Sequence, residues 1–434
     1  MDKMADVLGR AGAWCGQNKY LSAIKNAFQN FMPLTIAGAI GVLWCNVLVN
    51  DQTGLGLFFK PIMALDFLNP AFQAVNFCTI SCITVGITLG IAQEIGVWNM
   101  GAERAGYIPG LVGLAAWLSV TNTSHMVDGA KEAFTGIAGN ELGATGLFTG
   151  MIIGVLSVEL FCFFEKQDAL KIKMPEQVPP GVARAFEVLV PATITLIITA
   201  CIGSACYNLT GLYLNDVIKN GIQGPLGAVG ATIPGVMIIY LVIMLFWLVG
   251  IHGNNMLSAV KEALFTPLAL ENVEAFNKGE TPKNIINMYA LQMWGEFGGS
   301  GVTIGLVIAI MIFGKREDNK AIATLSLVPG LFNINETVTF GIPMVLNPIL
   351  GIPFVFACLV TIIVGYVLTV IGFCPVACLT VPWTTPPIVF GFLACGANVM
   401  GAVTQAILIV VSTVIYVPFL ISYEKYQNKQ AAEA

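Results

Sequence analysis

Charge is what this sequence has least of: Asp, Glu, Lys and Arg make up only 10% of its 434 residues, against about 25% in a typical soluble domain. Together with 56% hydrophobic residues and a mean hydropathy of +0.80, that scarcity excludes a water-soluble globular chain and points to a bilayer as solvent. Histidine is scarce too, with only His125 and His252. The eleven cysteines, among them Cys45, Cys78, Cys82, Cys201, Cys206, Cys358, Cys374 and Cys378, lie in or beside apolar runs without metal-ligand spacing or a paired framework. They read as small core hydrophobes, and no metal or other cofactor is expected. The net charge of −5 says little when lipid takes up most of the surface, and nothing points to nucleic acid. A cleaved leader is not expected, because residues 1–25 are charged and amphipathic and the first apolar run is long enough to stay. No strong internal repeat is visible.

What the chain does have is apolar windows of spanning length: Phe28–Val49, Phe72–Ile91, Ala105–Val120, Gly146–Phe164, Val188–Tyr207, Leu226–Gly250, Phe297–Phe313, Ile349–Phe373 and Val399–Ile421. With Val389–Ala397 as a half-buried or re-entrant piece, they predict an all-α polytopic membrane protein of about ten spans. Lys3, Arg10, Lys19 and Lys25 precede the first span and Lys425 and Lys429 follow the last, so the positive-inside bias places both termini in the cytoplasm. The segment Glu165–Arg184, with Lys166, Lys171, Lys173 and the prolines 175, 179 and 180, reads as a cytoplasmic linker. It divides an N-terminal bundle, residues 1–185, expected to serve as a dimerisation scaffold, from residues 186–434, expected to carry the binding site.

The second part is less regular. Asn254–Asn284 carries Lys261, Glu262, Glu271 and Glu274, too much charge for a lipid-facing span, and reads as a hairpin dipping partway in. Leu325–Pro348 is broken by Pro329, Gly330, Gly341, Pro343 and Pro348. Broken backbone survives at membrane depth only where protein or a water-filled cavity satisfies it, and two such elements point to a transporter site near the midplane. Ten spans with two returning hairpins would put the loop Lys315–Lys320 on the outside, against the positive-inside bias.

Within the run Leu331–Pro348, LFNINETVTFGIPMVLNP, the carboxylate of Glu336 and the amides of Asn333 and Asn335 stand in apolar surroundings. An ionisable residue at membrane depth costs at least about 2.5 kcal/mol at a helix centre, so it faces a cavity or a partner. His252 lies in FWLVGIHGNN, between Gly250 and Gly253, which let the backbone bend towards a ligand. It suits a hydrogen bond to a sugar hydroxyl more than the alternative, a helix-end cap satisfied by Asn254. Trp247 and Trp383, the latter in TVPWTTPP, suit the apolar face of a pyranose or an interfacial aromatic belt. Trp14, Trp98, Trp117 and Trp294 go to belt or core. His125 reads as a surface residue, Glu296 as interfacial, Glu159 as reaching water, and Glu94, Glu103 and Arg104 as solvated.

GIHGN (250–254), GGSG (298–301), FNINE followed by FGIPMVLNP (332–348) and PWT (382–384) together resemble the lactose/cellobiose/diacetylchitobiose family of phosphotransferase-system enzyme IIC permeases. The resemblance runs over nearly the whole length, departing from the commoner pattern at Thr337 and Thr339 and around 93–104. It implies a homodimer of protomers with about ten spans and two re-entrant hairpins in the bacterial cell membrane, carrying a β-linked disaccharide by an elevator-like movement. It implies that Glu336 and His252 hold the sugar near its 6-hydroxyl, with Glu336 as the catalytic base. Trp247 and Trp383 would stack on or cap the sugar, and Asn254, Asn333 and Asn335 would join the substrate-binding set. The phosphoryl group would come from the phosphocysteine of a separate cytoplasmic IIB protein, recharged by IIA, since after Ile421 only a short polar tail remains. A proton-coupled secondary sugar transporter and a non-transporting membrane sensor are the rival readings.

Overall fold

The computed structural model describes residues 10, 13–14, 17–51, 55–125, 134–175, 177–342, 344–345 and 347–433. Lys3, Cys15, residues 126–129 of the His125 loop, Pro343 and Leu346 lie outside them. The described chain is helical apart from a two-residue antiparallel pairing of Ser124–His125 with Phe134–Thr135. It divides into two compact units. Among the described residues, five helices are long and apolar enough to cross a membrane, or up to seven if each of two bent pairs counts as one.

One unit comprises Gln17–Gly38 and Val75–Ala228. Its helices are α1 (Lys19–Leu43), α2 (Ile83–Met100), α3 (Ile108–Val120), α4 (Ala144–Glu165) and α5 (Pro180–Thr210). Pro109 and Pro180 sit in first turns, where a missing N–H costs nothing, and Gly211 ends α5 in the left-handed region at φ +72°. Small residues let α2, α3 and α4 approach closely: a side chain at Gly113 would strike Ala92, and one at Gly150 would strike Thr88. Ile87, Ile91, Ile95, Trp117, Leu147 and Phe161 fill the core.

Several charges of this unit pair with one another around a buried carboxylate. Glu165, only 3% exposed, takes Arg104 at 2.8 Å and Arg184 at 2.9 Å, and Glu187 takes the same two arginines at 2.9 Å. Arg104, exposed as expected of a solvated loop residue, also ties helix ends together, because a buried carboxylate needs a charged partner. Glu159 likewise pairs with Lys19 at 2.6 Å. The expectation that the cysteines are core residues is met only in part across the chain: Cys162, Cys358, Cys374, Cys378 and Cys395 are buried, whereas Cys78 and Cys201 are exposed.

The other unit includes Ala39–Ala74 and Val229–Ala434. Helix α6 (Ile233–Leu248) turns back through a short segment into α7 (Ser258–Asn277). Then follow α8 (Met288–Gly295), α9 (Ile304–Phe313), α10 (Glu317–Leu331), α11 (Glu336–Gly341), α12 (Gly351–Val370), α13 (Val389–Ala394) and α14 (Val399–Glu433). Asn287 caps α8, accepting from the amides of Tyr289 and Ala290 at 3.0 and 3.2 Å.

Between α8 and α9 the axis bends by 59°. The cause lies in the sequence: Gly298, Gly299 and Gly301 take φ of +69°, +87° and +76°, and Val302 is drawn to +50°. A β-branched residue there is strained, and the surroundings hold it. From α14, Ser412 donates to the Val302 carbonyl and Tyr416 to the Gly301 carbonyl, both at 2.8 Å. Gln405, 1% exposed, donates to the Met293 carbonyl at 3.3 Å and accepts from the amides of Ile388 and Gly391. Helix α14 is thus the spine along which the bent pair and the start of α13 are ordered.

At the far end of α14, Glu424 accepts from the amides of Lys315 and Arg316 at 2.8 and 3.3 Å and from the Asn319 side chain at 3.1 Å. Arg316 also donates to Asn428 at 2.8 Å. The loop Lys315–Lys320 therefore lies at the same end of this unit as the C-terminal stretch of α14, not at the opposite end where ten spans with two returning hairpins would put it. Within the loop, Arg316 holds the Asp318 carboxyl below its ordinary range.

Candidate functional site

In the turn from α6 to α7, Gly250 takes φ +81°, and a side chain at Gly253 would strike the Ile243 backbone. His252 caps the short helix Gly253–Met256, its Nδ1 accepting from the Asn255 amide at 3.3 Å. In the neutral ring this leaves the proton on Nε2. That nitrogen lies 3.9 Å from Oε1 of Glu336, the first residue of α11, and the two side chains are 38% and 48% exposed. The histidine and the carboxylate singled out in the sequence, 84 residues apart, thus face each other with open surfaces.

The remaining expected residues stand around this pair in a different way. Trp247 is 2% exposed and lies beside the His252 ring, with centroids 4.5 Å apart and planes at 47°. Trp383 is 45% exposed. Its position is set by Asn333, which takes the left-handed conformation at φ +63° that asparagine tolerates. The Asn333 amide donates to the carbonyls of Trp383 and Thr385 at 2.5 and 3.1 Å, while its oxygen accepts from the Gly298 amide at 2.6 Å. Asn335 is buried and donates to the Ser300 carbonyl at 2.8 Å; Asn254 donates to the Ser300 hydroxyl at 2.9 Å. The three asparagine amides are thus spent on protein atoms, and His252, Glu336 and Trp383 present the open side chains.

Ser300, at the bend between α8 and α9, is therefore the point where the α6–α7 turn and the tip before α11 meet. Close packing enforces the meeting: a side chain on Gly299 would come within 2.6 Å of Asn335 Cβ. Glu296, read as interfacial, instead accepts from Tyr240 at 2.6 Å and pairs with Lys261, both of them buried. Sequence reasoning named Lys261 and the segment bearing Ser300 without assigning them to the site and missed Tyr240 and Gln405, although a polar group within an apolar run was the available signal for those two. Among the described residues no group of three or more His, Cys, Asp or Glu side chains is arranged to hold a metal ion.

The family model described as phosphotransferase system, EIIC, matches residues 25–358. The chain belongs to the phosphotransferase-system EIIC family. This EIIC chain is 32% identical to the oligo-beta-mannoside-specific EIIC component of Bacillus subtilis (strain 168), with 98% of the chain and 94% of the relative covered. It is 29% identical to the cellobiose-specific EIIC component of Lactococcus lactis subsp. lactis (strain IL1403), with 98% of each covered. Its structure matches the crystal structure of the transporter ChbC, the IIC component from the N,N'-diacetylchitobiose-specific phosphotransferase system, with a TM-score of 0.88 at 29% identity over 97% of both chains. EIIC components are integral membrane permease subunits, as the apolar helices of this chain require.

Proposed function

We propose that this EIIC protein imports a β-linked disaccharide of the cellobiose, diacetylchitobiose or lactose type and presents its 6-hydroxyl for phosphorylation by a IIB component. The observation that carries the reading is the His252–Glu336 pair. At 3.9 Å the two groups are too far apart for a hydrogen bond of their own, and a hydroxyl set against both can donate to the carboxylate while accepting from Nε2–H. Trp383 offers an open indole for the apolar face of a sugar ring, Trp247 backs the histidine, and Asn254, Asn333 and Asn335 serve the substrate by bracing this wall. The names of the similar proteins, which include cellobiose and N,N'-diacetylchitobiose specificity, support a β-glucosidic or N-acetylglucosaminyl substrate.

The reaction balances on those groups. Glu336 accepts the proton of the 6-hydroxyl, the oxygen attacks the phosphorus of phosphocysteine on IIB, and the P–S bond breaks to leave a thiolate that IIA recharges. Positioning and proton acceptance are what a protein contributes to such a transfer. For the whole chain the reading is about ten spans, with Asn254–Asn284 and Leu325–Pro348 as re-entrant hairpins that meet near the midplane. Residues 1–185 would supply a homodimerisation scaffold and residues 186–434 the sugar site, with both termini on the cytoplasmic side of the bacterial cell membrane.

Equilibrium titration of the purified full chain with cellobiose, N,N'-diacetylchitobiose and lactose tests the site. Saturable binding of at least one sugar, weakened tenfold or more by His252→Ala, is expected. Binding of none, or binding indifferent to His252→Ala, overturns the assignment.

A further inference from the structure

Beside the two tips lies a set of ionisable side chains that proton acceptance by Glu336 does not use. Glu296, just after α8, accepts from the Tyr240 hydroxyl of α6 at 2.6 Å and pairs with Lys261 of α7. The side chains of Lys261 and Glu296 are 6% and 18% exposed, and Tyr240 is fully buried. Taking two charges out of water gains less cohesion than a well-packed apolar pair of the same volume, so holding these helices together does not by itself account for an ion pair here. The directional bonds of the pair are what an apolar substitute would lack. Lys261 Nζ also donates to Asn254 Oδ1 at 3.4 Å; Asn254 donates to the Ser300 hydroxyl at 2.9 Å; and the Ser300 carbonyl accepts from Asn335 at 2.8 Å. One end of this chain of bonds is two residues from His252, and the other is one residue from Glu336.

We propose that Lys261 and Glu296 form a positioning pair that sets the separation of His252 and Glu336 through Asn254, Ser300 and Asn335. The proposal rests on the reading of those two residues as the groups that hold the sugar hydroxyl. Lys261 fixes which end of the Asn254 amide faces Ser300, and Glu296, held by Tyr240, fixes Lys261. Without the ammonium, the Asn254 oxygen loses its partner and the amide is free to turn, which loosens the α6–α7 tip against the bend while leaving the helices packed.

The test uses the full chain and its Lys261→Met, Glu296→Gln, Lys261→Met/Glu296→Gln and Asn254→Ala variants, with cellobiose and N,N'-diacetylchitobiose as probes and two readouts, the thermal unfolding midpoint without sugar and the sugar Kd. Each single charge variant strands a buried charge and is expected to unfold at lower temperature and bind more weakly. The double variant is expected to regain the parental midpoint yet keep a Kd raised about tenfold. Asn254→Ala is expected to raise Kd equally, and adding it to the double variant to change nothing more, because both break the same chain of contacts. A double variant that regains the parental Kd along with the parental midpoint overturns the proposal, since the pair is then structural only. A parent chain that binds neither sugar overturns the reading of the site, and the proposal with it.

Discussion

On the proposed reading Glu336 and His252 do different work at one hydroxyl, and the geometry separates their roles. The histidine, pinned through Nδ1 to the Asn255 amide, can only donate from Nε2 in its neutral form, whereas the carboxylate can take a proton. Replacing Glu336 by Gln keeps the shape and removes the base. Phosphorylation by IIB is expected to fall by about 10²- to 10⁴-fold in kcat with a much smaller change in sugar Kd; full turnover with unchanged binding contradicts the assignment. Asn333 carries a different burden, because its amide is bonded to two carbonyls and one N–H from two other segments. Asn333→Ala removes those part-exposed bonds, each worth about 0.5–1.5 kcal/mol. A lower thermal unfolding midpoint and weaker sugar binding are expected together, since the loop bearing Trp383 is released; an unaltered midpoint contradicts the bracing role.

At the scale of elements, the bend and the spine explain what the sequence showed and what it hid. The α6–α7 and α10–α11 breaks were legible because Gly and Pro interrupt apolar runs and because Glu336 and His252 are costly where they stand. The partner of Glu296 was not legible: Lys261 lies 35 residues away, and only the folding of α7 against α8 brings them together. The asparagines were expected to contact the sugar, but a side-chain amide binds equally well to ligand or to protein, and tertiary packing alone decides between them. The side of the loop Lys315–Lys320 stayed open for a related reason, because span counting knows nothing of the acceptor, Glu424, that gathers its backbone amides. Glu424→Ala is expected to release that loop. Trypsin should then cut at Lys315, Arg316 or Lys320 several-fold faster in membranes exposing that face, and an unchanged cleavage rate contradicts the clamp.

For the whole molecule, the clamp between Lys315–Lys320 and the end of α14 makes a topological prediction. Cysteines introduced as Lys320→Cys and Lys429→Cys are expected to react with a membrane-impermeant maleimide from the same side of the membrane, the side on which IIB acts; labelling from opposite sides contradicts it. The all-helical character of the chain was readable from hydropathy, because lipid leaves few alternatives to helices. The number of spans was less so, since α3 and α6 are only 13 and 16 residues long and the α8–α9 pair is bent. The central claim is that sugar crosses this protein and is phosphorylated by IIB in the same process. Right-side-out vesicles containing the full chain, loaded either with phosphorylated IIB or with none, and given labelled cellobiose or N,N'-diacetylchitobiose, test it most directly. Accumulation of the sugar 6-phosphate only when phosphorylated IIB is present is the predicted result. Accumulation of unmodified sugar without IIB, collapsing with the proton gradient, would contradict it.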